Sequence, residues 1–152
     1  MSLTDKQRTV HWQELVQESH YHTAVAIRDV LQEGNVDDAT TGLEELIDAL
    51  SRSERRALES HLKRLMMHVI KWKIQPGYRS RSWRSTILSA RQEIARLQRR
   101  MPSLNRRVIE EDWDELVELA RLAAEGETNL DIPLLTLTWQ EVFEDEYTLE
   151  HA

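Results

Sequence analysis

Residues 82–101 read SWRSTILSARQEIARLQRRM, and this stretch decides the fold. Trp83, Ile87, Ala90, Ile94, Leu97 and Met101 recur at alternating steps of four and three. That spacing lays them along one narrow seam of an α-helix, the pattern of helices that pack nearly parallel in bundles. Pro102 stops the helix. Ser80 or Ser82 is placed to cap its start.

The same spacing spreads in both directions. Leu58, Leu62, Leu65, Val69 and Trp72 mark a helix from about Ser53 to Ile74, ended by Pro76-Gly77. Ile109, Trp113, Leu116, Ala120 and Ala123 mark another, capped by Ser103 and closed by Gly126. Upstream, a helix is expected from about Val10 to Glu33, with Thr9 as cap and Gly34 as end. Thr40 or Thr41 then caps a short helix carrying Leu43, Leu46, Ile47 and Leu50, and Ser51-Arg52-Ser53 is either a break or a continuation. Pro133 forbids a helix through 128–137, and Thr138-Trp139-Gln140-Glu141 is a capping box for a short last helix. Trp12, Trp72, Trp83 and Trp113 fall on apolar stripes and belong to the core; Trp139 is a candidate for an exposed patch. The fold class expected is all-α: one domain over residues 1–152, a bundle of five to six mostly antiparallel helices.

Composition agrees. With 4 glycines and 3 prolines in 152 residues, turn chemistry is too scarce for a many-stranded fold. There is no cysteine, which excludes disulfides, zinc–thiolate sites, iron–sulfur clusters and a cysteine nucleophile. No apolar run approaches the roughly 18–20 residues of a membrane span. Met1-Ser2-Leu3-Thr4-Asp5-Lys6 lacks the apolar core of a signal peptide, so a cytoplasmic location is expected.

Charge is segregated. Residues 1–59 carry 6 basic and 12 acidic side chains. Residues 60–109 carry 13 bases and only Glu93 as an acid; residues 110–152 carry 14 acids against Arg121. A basic surface with Trp72, Tyr78 and Trp83 interleaved suits phosphates and bases. Side-by-side basic and acidic helices whose flanks pair explain the same pattern without a ligand. An acidic half that competes for the basic side, as in a regulated or self-associating module, is a third reading.

The densest cluster runs from His68 to Trp83: His-Val-Ile-Lys-Trp-Lys-Ile-Gln-Pro-Gly-Tyr-Arg-Ser-Arg-Ser-Trp. His68, Lys71, Trp72, Gln75, Pro76, Arg79, Ser80, Ser82 and Trp83 resemble the signature of a bacterial family known as domain of unknown function 29. Ile87, Arg91, Ile94, Pro102-Ser103-Leu104, Ala120-Arg121 and Thr128 continue the resemblance, which covers about residues 41–130. It implies a helical bundle and no particular reaction.

Two candidate sites follow from the residues. In the first, His68 serves as acid or base, Lys71 and Arg79 as anion binders and Glu45 as their partner. The plain alternative has the histidines bordering the core and Lys71 lying over a tryptophan or in solvent. The second is an anion or nucleic-acid site at Arg79, Arg81, Arg84, Ser80 and Ser82, where a helix N-terminus meets several arginines. No metal site is expected: His61 and His68 stand seven apart, about 10.5 Å along a helix, and His20 and His22 point to different sides. No cofactor motif occurs either. The expectation is a small, non-catalytic protein-interaction or adaptor module, possible as a homo-oligomer. The alternatives are a nucleic-acid-binding module using residues 60–109 and, third, an enzyme or an anion or metal site around His68.

Overall fold

The computed structural model describes residues 11–149, so the expected start at Val10 and the Thr9 cap lie outside the described residues. Six α-helices follow in order: α1 (Trp12–Glu18), α2 (His20–Gln32), α3 (Val36–Ile74), α4 (Arg81–Arg100), α5 (Arg106–Glu111) and α6 (Trp113–Thr128). A 3-10 turn at Pro76–Tyr78 joins α3 to α4, and a π-helical turn at Gln140–Glu144 closes the series. The chain is all-α; among the described residues there is no strand, and no helix is long and apolar enough to cross a membrane.

Four expectations need correction, and one left open is settled. The first helix is split at Ser19, whose extended backbone lets its Oγ accept the His22 N–H at 3.0 Å and cap α2. Asn35, not Thr40 or Thr41, caps α3 by accepting the Asp38 N–H at 3.2 Å. Both threonines lie inside the helix and donate back to the Val36 and Asp37 carbonyls. Ser51-Arg52-Ser53 continues the helix, because its polar side chains leave the helical backbone unbroken. Asn105 rather than Ser103 caps α5, accepting the Val108 N–H, and the run then breaks for one residue at Asp112. Gly126 lies within α6, which ends instead at Asn129 in the left-handed conformation (φ 57°) that asparagine tolerates. Two splits and one merger turn the expected helices into seven helical segments, counting the π-turn.

The chain divides into two compact units, the first up to Glu54 and the second from Arg55. In the first, Trp12, Val30 and Ala39 form one buried cluster, and Val16, Leu46 and Ala49 form another. The Trp12 indole N–H donates to Asp38 at 2.9 Å, which fixes the ring against Gly42 of α3. In the second, the α4 seam is buried as its spacing predicts: Ile87, Ala90, Ile94 and Leu97 are at most 3% exposed, with Trp83 and Met101 half-buried at its ends. Leu58, Leu62, Leu65, Val69 and Trp72 of α3 join them, along with Ile109, Leu116, Ala120 and Ala124.

The chain beyond α6 adds Ile132, Leu137 and Val142 to this core. Its capping box forms as the sequence predicts: Thr138 N–H donates to Glu141 Oε1 at 2.9 Å, and Glu141 N–H donates to Thr138 Oγ1 at 3.1 Å. Trp139 is half-buried, stacked 4.2 Å from Phe143 and 5.7 Å from Trp113 between ring centres, rather than forming an exposed patch.

Gly42 gives a test of sign. Replacing a helical glycine by alanine ordinarily stabilises by about 1 kcal/mol. Here a Cβ would stand 2.8 Å from the ring of a tryptophan that is buried and tied to Asp38. Gly42→Ala should therefore destabilise the first unit, by about 1–3 kcal/mol. Urea denaturation, with amide exchange measured across α1 and α2, checks this; a rise in stability would contradict the packing described.

Candidate functional site

The distinctive residues from 68 to 83 converge where α3 ends and α4 begins. An α-helix leaves its last carbonyls without partners. Arg79 Nε donates to one of them, Trp72 O, at 2.8 Å, while its guanidinium lies 5.2 Å from the Trp72 ring centre. Ser80 Oγ accepts the Trp83 N–H at 3.2 Å and caps α4. Lys71 is 9% exposed; its Nζ sits 4.7 Å from the centre of the Trp83 ring and bonds Glu127 Oε2 at 2.9 Å. Contacts of a cation with a ring contribute about 0.5–2 kcal/mol each. Lysine, arginine, serine and two tryptophans are thus spent on one joint.

His68, half-buried one turn before Lys71, donates from Nδ1 to the Arg64 carbonyl at 2.9 Å. Burial holds its pKa below the ordinary histidine value, and the positive charge of Lys71 adds to this. Lys71 and His68 therefore do come together, but the carboxylate beside them is Glu127. Glu45 belongs to the first unit, where it borders an open hollow of about 290 Å³ with His11, Trp12 and Thr41. Arg79 is turned onto the backbone of α3. With the histidine tied to a carbonyl and the ammonium tied to a carboxylate, the geometry is that of a braced helix end. Among the described residues no group of three or more histidine, aspartate or glutamate side chains is placed to hold a metal ion.

Part of the basic segment is answered by the acidic one: Lys71, Lys73, Arg106 and Arg107 pair with carboxylates after residue 109. Lys73 bonds Glu141 at 2.5 Å, Arg106 bonds Glu110 at 2.6 Å, and Arg107 lies 3.9 Å from Glu111. Burial pushes the Glu141 carboxyl up, but bonds from Lys73 and Thr138 more than reverse this and leave it below the usual value. Arg91 Nε donates to Val142 O at 2.8 Å, and its guanidinium lies 5.5 Å from the Tyr147 ring centre. The Tyr147 hydroxyl donates to Glu141 O at 2.5 Å; burial, with Asp145 nearby, pushes its pKa up to about 12. Glu127 and Tyr147 were not singled out by the sequence, and Glu141 only as part of the capping box. Only the acid excess after residue 110 hinted that the basic helices had partners there.

Arg81 and Arg84 differ from these paired bases. Both are exposed on the first turns of α4, and neither has a carboxylate partner among the described residues. They border an open hollow of about 490 Å³ with Ser85, Thr148 and Leu149. A second hollow of about 210 Å³ lies between Arg84, Arg91 and Tyr147. Ser82 is exposed, and its carbonyl accepts the Thr86 hydroxyl.

The lowered pKa of His68 fixes the sign of a pH effect. An unfolded histidine takes up a proton near its ordinary value of 6.5, whereas the folded one resists it. The unfolded state then binds more protons, so stability is full above pH 6.5 and falls as the pH drops through the folded value. The free energy of unfolding should decline as the pH falls below about 6.5 toward the lowered folded value. His68→Leu should flatten that part of the profile in denaturant titrations; an unchanged slope in the variant would refute the assignment.

The chain was compared with protein families, curated proteins and solved structures. No curated protein and no solved structure matches it. A family model described as a domain of unknown function, DUF29, matches residues 20–148. That span contains the α3–α4 joint, the α4 seam, Arg121 and the π-turn, and covers nearly the whole chain. The chain belongs to the DUF29 family.

Proposed function

We propose that this chain is a small, non-catalytic binding module that meets another protein, working in a bacterial cytoplasm. One observation carries the reading. On α3, within the first unit, Val36, Leu43, Ile47 and Leu50 are 58%, 46%, 58% and 42% exposed. Steps of seven, four and three place all four within about 60° of the helix circumference. The neighbouring flank, Ala39, Leu46 and Ala49, is buried against α1 and α2. Single exposed apolar residues are ordinary, but a continuous row marks an interaction surface. The reading is supported from the other side by the joint around Lys71, whose reactive groups are engaged in holding the helices.

Leu43→Ser with Ile47→Ser tests it. Both side chains are exposed, so stability should change by no more than about 0.5 kcal/mol. Affinity capture from the cell's own lysate should lose a protein that the wild type retains. Capture by the Arg81→Glu, Arg84→Glu variant should keep it. An identical retained set in wild type and Leu43/Ile47 variant would count against the reading.

A second reading, binding of a nucleic acid, rests on Arg81 and Arg84, exposed beside their hollow and without a carboxylate partner among the described residues. The net charge of −7 opposes it at long range. Fluorescence anisotropy with single-stranded RNA and duplex DNA, at low and physiological salt, discriminates. Binding that survives physiological salt and fails in the arginine variant would favour the second reading over the first.

A further inference from the structure

We infer that the partner presents an amphipathic helix with a basic flank, laid along the exposed row of α3. The inference rests on the protein-interaction reading above and names the chemistry of the partner.

The row from Val36 to Leu50 covers 15 residues, about 21 Å of helix and four turns. It is therefore the length of one helix laid alongside another. Beside it run Asp37, Glu44 and Asp48, at steps of seven and four. These steps bring the three carboxylates to one flank of the row, the flank away from Ala39, Leu46 and Ala49. The surroundings strengthen the sign. Residues 11–54 carry ten carboxylates against two arginines. Both arginines are answered locally, Arg28 by Asp29 and Arg52 by Asp48, so Asp37 and Glu44 are the flank carboxylates left without a cation among the described residues. An apolar row with an acidic border is the complement of an apolar row with a basic border.

The same charges weigh against other occupants. A second copy laid along the row would bring two acidic rows together, and like charges across an interface are costly. Anionic headgroups and phosphate backbones would meet a field of their own sign.

The test uses the whole chain and two labelled 21-residue peptides. Both carry leucine at heptad positions a and d; one carries lysine at e and g, the other glutamate. Anisotropy should show the lysine peptide binding at least about tenfold more tightly than the glutamate peptide, an advantage that shrinks as salt is raised. Ile47→Glu should abolish binding. Asp37→Asn with Glu44→Gln, a variant that keeps the apolar row and the Arg52–Asp48 pair, should erase the preference for lysine. Circular dichroism establishes that each variant is folded.

Equal binding of the two peptides, or binding that persists in Ile47→Glu, would overturn the inference. So would a dimer in sedimentation equilibrium that Ile47→Glu converts to monomer, since the row would then be covered by a second copy. That outcome leaves the broader reading standing. The broader reading fails separately, when changes to the row alter neither lysate capture nor self-association.

Discussion

Backbone carbonyls that leave the helical ladder must find donors, and in this chain arginines supply many of them. Arg79 serves Trp72 at the end of α3, Arg91 serves Val142 in the π-turn, and Arg121 serves Ile132 at 2.6 Å in the segment after α6. The Trp113 indole adds a fourth donor, to Leu137 at 2.8 Å. Each arginine combines a directed N–H with a second engagement. Arg79 covers Trp72, Arg91 covers Tyr147, and Arg121 also bonds Glu118, lowering that carboxyl's pKa through the hydrogen bond. Lysine, with a single compact ammonium, could not make both engagements in the same geometry. Arg79 and Arg91, which look in the sequence like parts of a basic surface, instead fasten the backbone.

The helices themselves were legible where apolar spacing was strict. The α4 seam, the α3 stripe and the capping box at Thr138 all appear as read, since each rests on a local rule that burial then reinforces. Boundaries were less legible. Ser19 is a good cap in the middle of a run that periodicity alone treats as continuous, and Asn35 outcompetes the threonines because it follows directly on the Gly34 turn (φ 89°). Thr40 and Thr41, good caps elsewhere, can equally bond back into their own helix, and nothing in their identity says which they will do.

The candidate sites were half legible. Local pairing, His68 with Lys71 and Ser80 with Trp83, follows from helix spacing and capping chemistry. Long-range pairing does not: Lys71 meets Glu127 across 56 positions and Lys73 meets Glu141 across 68. Glu45 had no better or worse claim than Glu127 from sequence alone, because carboxylates are abundant on both sides of Lys71. The exposed row was hidden for a different reason. Leu43, Leu46, Ile47 and Leu50 read as one apolar face of a short helix, yet burial divides them, with Leu46 inside and the other three outside.

The placement of Trp12 has an optical consequence. It is the one indole of the first unit, while Trp72, Trp83, Trp113 and Trp139 all belong to the second. Ultraviolet emission therefore reports the two units unequally, with one fluorophore of five speaking for the helices that carry the exposed row. Loosening of that unit registers directly in one indole of five. A chain stripped of its other four indoles would turn Trp12 into a private beacon for the first unit.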